Sequence, residues 1–151
     1  MPSLTGTFDL TIDEKNRMNI PAEVRRAIER NGNGNVLYAI TGINNRPWLW
    51  PEKTYDAMAS VRPSSLAPRP EDLEFDQANY ALAHPIEWDK QGRVVIPEKV
   101  MRKGRLNREI TLIAARDHLE LWNRAEWQAH EEDLERRRPV LAARASVQSA
   151  H

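Results

Sequence analysis

The strongest constraint on this chain is that it states one motif twice. Ile12-Asp13-Glu14-Lys15-Asn16-Arg17-Met18-Asn19-Ile20-Pro21 is answered by Trp88-Asp89-Lys90-Gln91-Gly92-Arg93-Val94-Val95-Ile96-Pro97. Each copy reads apolar residue, Asp, three turn-forming residues, Arg, two more residues, then Ile-Pro. The match runs on through Val24 with Val100 and Arg26 with Arg102. In a chain of only 151 residues, such duplication means that one fold is built from two like halves sharing a core.

Periodicity supplies the elements. Phe8, Leu10 and Ile12 alternate along Thr7 to Ile12, the pattern of a half-buried strand. Asp13 to Asn16 is a turn, and Arg17 to Ile20 is the strand that leaves it. Asn16 and Gly92 occupy the same place in the two copies and are the residue types that best accept a left-handed backbone, so both turns require a positive φ there. Pro21 and Pro97 open short helices. Val24, Ala27 and Ile28 form the buried face of the first, which Asn31-Gly32-Asn33-Gly34 ends; Val100 and Met101 serve the second, which stops at Gly104. Strands then follow at Val36 to Ile40 and Trp48 to Trp50, and again at Ile110 to Ala114 and Leu119 to Trp122. A helix closes each copy, the second with Asn123 and Glu126 at capping-box spacing. Each copy therefore reads β-turn-β-α-β-β-α.

The expected organisation is a first copy over residues 4–61, a Pro-rich linker and connecting helix over 62–83, a second copy over 84–138, and a flexible Ala- and Ser-rich tail over 139–151. A few short strands and short helices cannot bury both faces of a sheet. Two interleaved copies could, by closing their strands into one α+β barrel with no exposed sheet edge.

Charge is neutral by compensation, with 22 basic and 22 acidic residues. The basic residues Lys90, Arg93, Lys99, Arg102, Lys103, Arg105 and Arg108 crowd the second copy, and acid gathers around residues 71–76 and 126–135. Cysteine is absent, which excludes thiol nucleophiles, disulfides and Cys-based zinc sites. Neither a membrane-length apolar run nor a basic and apolar leader is present, so no secretory signal is expected and a cytoplasmic location is.

The chemistry worth weighing lies in the turns. An Arg beside a tight turn can offer its planar fork to guanine O6 and N7, worth about 1–3 kcal/mol of discrimination. Arg17 and Arg93 are the candidate readers, with Lys15, Lys90 and Arg102 placed to hold phosphates. The plainer alternative is that Asp13 caps its turn while Arg17 pairs with Asp13 or snorkels across the barrel. Asp13, Asn16, Asp89 and Gly92 are assigned to shaping the turns. The basic helix faces Arg25-Arg26 and Arg102-Lys103 read as solvated. His84, His118, His130 and His151 lack metal-ligand spacing, Asp117-His118-x-Glu120 is first a turn signal, and no phosphate-binding or nucleophile motif occurs. An enzyme built on Asp13, Asp89 and Glu120 has nothing in the sequence to bring them together. No catalytic or metal-binding residue, cofactor or small-molecule substrate is therefore assigned. Trp48, Trp50, Trp88, Trp122 and Trp127 read as core or subunit-interface residues.

With Gly6-Thr7-Phe8, the two Asp-x-x-x-Arg motifs followed by Ile20-Pro21 and Ile96-Pro97, and Leu119-x-Leu121-Trp122, the chain resembles the MraZ family of bacterial regulators over nearly its whole length. That resemblance implies tandem AbrB-type units forming a swapped-hairpin barrel, ring-like homo-oligomers associated with the nucleoid, and binding to repeated boxes in promoter DNA of the division and cell-wall gene cluster. It assigns DNA binding to the motifs, Asp13 with Arg17 and Asp89 with Arg93. One departure is Asn16, where the family usually has Gly. A competing expectation is an antitoxin-like relative that captures another protein with its C-terminal tail. Because the second motif keeps Gly92 and sits in the basic stretch, Arg93 is expected to be the stronger DNA contact.

Overall fold

The structure, a computed structural model, describes residues 3–149. The first copy comprises β1 (Leu4–Thr11), β2 (Arg17–Asn19), α1 (Ala22–Arg30), β3 (Val36–Thr41), β4 (Pro47–Pro51) and α2 (Glu52–Ser60). A linker carries α3 (Pro70–Asp76), prolonged by a π-helical turn over Gln77–Ala81. The second copy repeats the order with β5 (His84–Glu87), β6 (Arg93–Val95), α4 (Glu98–Lys103), β7 (Glu109–Arg116), β8 (Leu119–Asn123) and α5 (Arg124–Ser149).

The two copies are threaded through one another. Six antiparallel strands pair in the order β1-β7-β8-β4-β3-β5, while β2 and β6 form a separate two-stranded ladder. That order is a palindrome in the repeat: β1 lies on the other copy's β7, β5 on the other copy's β3, and β4 meets β8 at the centre. Even single main-chain bonds are duplicated. Ile12 N–H donates to Arg108 O at 2.8 Å, and Trp88 N–H donates to Asn35 O at 3.1 Å. The β1–β7 ladder runs from Leu4↔Arg116 to Thr11↔Glu109, so neither half can leave without opening the longest pairing in the molecule.

The expected closed barrel is corrected: the six-stranded sheet is open, with β1 and β5 as its edges. The reason lies in the motif itself. Asp13 N–H donates to Arg17 O, and Asp89 N–H to Arg93 O, so each chain folds back on itself after the edge strand. β2 and β6 are only three residues long. They soon reach Pro21 and Pro97, which have no N–H with which to extend a ladder. The two short strands therefore pair with each other rather than with β1 and β5.

The core is as symmetric as the ladders. Ile20 and Ile96, Val24 and Val100, Leu49 and Leu121 are matched positions, and all are buried in one cluster. Val24, Ala27 and Ile28 are the buried residues of α1, as their spacing predicts, and Val100 and Met101 those of α4. Truncating one of the fully buried leucines, Leu49 or Leu121, would cost about 2–5 kcal/mol by loss of transfer energy and cavity formation.

Three expectations fare differently. Residues 139–149, part of the segment expected as a flexible tail, continue α5 as helix, while the last two residues lie outside the described ones. Pro139 removes one backbone bond, to Glu135 O, but Glu135 is exposed and its carbonyl can be hydrated. The Leu-Ala-Ala-Arg-Ala run beyond it is strongly helix-forming. Asn123 does not cap α5 with its side-chain oxygen, which instead accepts from Asn107 N–H at 2.6 Å. The connecting helix forms, seated by Tyr55, whose hydroxyl donates to Asn79 O at 2.5 Å and whose ring stacks on Tyr38.

Candidate nucleic-acid interface

The two motif loops are near copies in geometry. Asp13 Oδ1 accepts from Lys15 N–H at 2.9 Å and Arg17 N–H at 2.8 Å, and its Oδ2 accepts from Arg17 Nε at 2.7 Å. Asp89 does the same with Gln91 N–H at 2.9 Å, Arg93 N–H at 3.0 Å and Arg93 Nε at 3.2 Å. These are Asx-type turns, in which a short carboxylate takes the amides that the reversal leaves bare. The backbone bonds from Arg17 and from Arg93 lead in holding the two carboxyls below the usual aspartate range, helped by the guanidinium groups. Asn16 and Gly92 have φ of +60 and +85, the left-handed backbone both turns require.

Both arginines are partly exposed, with 38% of the Arg17 side chain and 40% of the Arg93 side chain accessible. Each engages its aspartate through Nε alone, so among the described residues the terminal nitrogens of the fork are uncommitted. The β2–β6 register brings the two together: Arg93 sits opposite Asn19 and Arg17 opposite Val95. Both line one shallow depression with Asp13 and Gln91. Lys15 and Lys90 are exposed at the two turns.

Interleaving rearranges the charge. The arginines in and after α4 belong to the second copy, yet Arg102, Arg105 and Arg108 border Asn16 of the first copy's loop. Part of the charge that in sequence favours the second motif thus lies beside the first. Arg108, Glu98 and Arg25 all touch a motif loop of the opposite copy, and sequence reasoning gave none of them a role there. The one available signal was the mismatch of Asn16 with Gly92.

The carboxylates of the alternative enzyme reading are committed elsewhere. Asp13 and Asp89 each serve their own turn, whereas Glu120 accepts from Trp122 Nε1 at 2.9 Å and lies 2.8 Å from His118 Nε2. His118 Nδ1 lies 2.8 Å from Asp117 as well, and its ring stacks on Trp48. An imidazole between two carboxylates is best satisfied as the cation, donating from both nitrogens. Burial opposes that charge, but the bonds to Glu120 and Asp117 outweigh it and the His118 pKa is raised. Burial likewise disfavours the charged Glu120, whose pKa is nonetheless lowered by the bonds from His118 and Trp122. Among the described residues no helix is long and apolar enough to cross a membrane.

Fold and site together define a tandem-repeat α+β protein whose interleaved copies present two Asp–Arg turns beside a shared short ladder. A family model described as "MraZ protein, putative antitoxin-like" matches residues 3–73 and again 80–146, and the chain belongs to the MraZ family. Among its relatives is the transcriptional regulator MraZ of Thermomicrobium roseum, 30% identical over 139 residues that cover 92% of this chain and 94% of the relative. The transcriptional regulator MraZ of Marinomonas sp. is 24% identical over 128 residues, 85% of each chain. That of Neisseria meningitidis is 27% identical over 125 residues, 82% of each.

Proposed function

We propose that this chain is a sequence-specific DNA-binding transcriptional regulator, with Arg17 and Arg93 as base readers and Lys15 and Lys90 as phosphate contacts. The observation that carries this reading is the pair of half-exposed arginines, each aimed by an aspartate through Nε, at the two ends of one face of a short ladder. An arginine so held has lost much of its rotamer freedom before binding and keeps the end of its fork for a guanine edge. Two such contacts are a small footprint. We infer that a homo-oligomer, ring-like as the family resemblance implies, repeats them along promoter boxes and gains affinity through effective concentration. In the same reading the exchanged strands are a swapped-hairpin arrangement, the protein works in the cytoplasm on the nucleoid, and it is a regulator rather than an enzyme.

The test is a mobility-shift titration against DNA upstream of the protein's own gene, at two salt concentrations. Wild type is compared with Arg17→Ala, Arg93→Ala and the double variant. Each single change is expected to weaken binding at least about fivefold, and the double to nearly abolish it, with the oligomer intact. Wild-type affinity for all three would sink the reading. A second reading, capture of a partner protein by the C-terminal segment, draws support from the family description as antitoxin-like and from the exposed Val140 on α5. It predicts a stoichiometric partner that is lost when the tail from Arg136 to His151 is removed.

A further inference from the structure

The two motif loops are braced by different devices, and each brace comes from the opposite copy. Arg108 leaves the main chain where its carbonyl accepts from Ile12 N–H at 2.8 Å, at the mouth of the first loop. Its Nη1 donates to the Asp13 carbonyl and to Asn16 Oδ1, the latter at 3.1 Å. The other end of the Asn16 amide donates to Glu98 Oε2 at 2.9 Å. Asn16 is thus held at both ends of its amide by second-copy residues. The Asp13 carbonyl is also the acceptor that closes the turn, receiving Asn16 N–H at 3.0 Å.

Among the described residues the second loop has no charged clamp of this kind; the Asn19 amide, its nitrogen facing the loop, donates to the Gly92 carbonyl at 3.2 Å and the Gln91 carbonyl at 3.1 Å. The counterpart of Arg108 is Asn35, whose carbonyl accepts from Trp88 N–H. Its shorter side chain reaches only the Trp88 carbonyl, at 2.8 Å. Gly92 carries no side chain to be gripped. Instead the Arg25 guanidinium lies over it: a Cβ at Gly92 would fall 2.6 Å from the guanidinium carbon. Arg25 Nε is committed to the Ile20 carbonyl at 2.9 Å.

We propose that Arg108 is a positioning residue for DNA recognition, gripping Asn16 and the Asp13 carbonyl so that the first loop presents Arg17 in a fixed geometry. Asn16 is the feature that makes the grip possible, which gives the departure from glycine a purpose. The first reader is therefore set by the second copy through a charged clamp, and its geometry depends on Arg108 in a way that Arg93 does not. This rests on the reading of the loops as DNA contacts, but the clamp itself is independent of it.

Two measurements on the full chain separate the possibilities. In the free protein, Arg108→Ala is expected to speed amide exchange at Asn16 and Arg17 by about tenfold, leaving Gly92 and Arg93 unchanged. No change at Asn16 and Arg17, or equal change in both loops, overturns the clamp whatever the DNA result. On the upstream DNA, Arg108→Ala is expected to weaken binding about three- to tenfold with an unaltered salt slope, and to add nothing in an Arg17→Ala background. A salt slope reduced by about one, with effects that add, would make Arg108 a direct phosphate contact and overturn the positioning role. Faster exchange in the first loop combined with wild-type binding by Arg17→Ala would leave the clamp standing and fail the DNA reading instead.

Discussion

In the first copy, Asn16 takes the left-handed position of its turn and spends its amide on Glu98 and Arg108. In the second copy Gly92 takes the same position, bare, beneath Arg25. A second pair of counterparts differs as well. Arg46 stacks on Trp122 with its guanidinium carbon 3.7 Å from the ring centroid and reaches Glu126 at 3.1 Å, while His118 stacks on Trp48 and bridges two carboxylates. Both members of this pair put a cation on an aromatic face of the opposite copy. Only one of them can lose its charge near neutral pH. The duplication thus fixes the strand order of both copies, while at these two contacts between the copies the side chains have diverged.

The largest break in that comparison should come at position 118. His118→Leu leaves Glu120 with only the Trp122 donor in a largely buried setting, and should cost about 2–3 kcal/mol in denaturant melts. Arg46→Leu, whose partner Glu126 is half exposed, should cost about 1 kcal/mol. Equal losses would mean that the two cations are interchangeable. The sign with pH follows from the raised His118 pKa. Its contribution is complete below the ordinary value of 6.5 and fades as pH rises through the raised value, so wild type should lose stability on that side and His118→Leu should not.

A smaller effect is expected at the loops. Gly92→Ala forces a methyl into the left-handed region and displaces Arg25, and should destabilise by about 1–2 kcal/mol. Asn16→Gly trades two side-chain bonds for a more permissive backbone and should stay within about 0.5 kcal/mol in the same melts. Reversal of that order would show that the braces have been misassigned.

Acid should act on both loops alike. Asp13 and Asp89 have lowered pKa values, so their contribution is present above the ordinary 3.8 and is lost as pH falls through the lower folded value. NMR observation of the amides of Lys15, Arg17, Gln91 and Arg93 should show hydrogen-bonded shifts near neutral pH that move together only once pH has fallen below the ordinary aspartate value. A loop whose amides do not respond is not held by its aspartate.

The smallest expected effect concerns the helices that end the copies, nine residues in α2 against 26 in α5. Truncation after Arg138 should move the midpoint of thermal unfolding by less than about 2 °C and DNA affinity by less than about twofold. A large fall in either would give the extra length of α5 a role in folding or binding.

Much of the fold was legible because its signals are local. The alternation of Phe8, Leu10 and Ile12, the prolines at 21 and 97, and the apolar spacing of Val24, Ala27 and Ile28 each report on a few neighbouring residues, and the element order of both copies follows from them. The turns were legible for the same reason: an aspartate, a residue suited to positive φ and an arginine four positions on describe one reversal. The course of α5 through Pro139 was missed because an Ala- and Ser-rich composition reads as a flexible tail, although its alanines and leucine are strong helix formers. The side chain of Asn123 was misassigned because its partner, Asn107, is brought near only by the fold.

By itself the sequence determined that two like halves share one core, where each turn lies, and that Arg17 and Arg93 stand at equivalent places beside them. The tertiary structure decided which copy each strand pairs with, and hence what surrounds each turn. Because β1 lies on β7 and β3 on β5, Arg102, Arg105 and Arg108 border the first loop, and Arg25 covers the second. The physical reason is that strand pairing is a long-range choice, made by the burial of apolar faces from both copies at once. Charge carried along by that choice ends up beside residues that no local pattern connects to it.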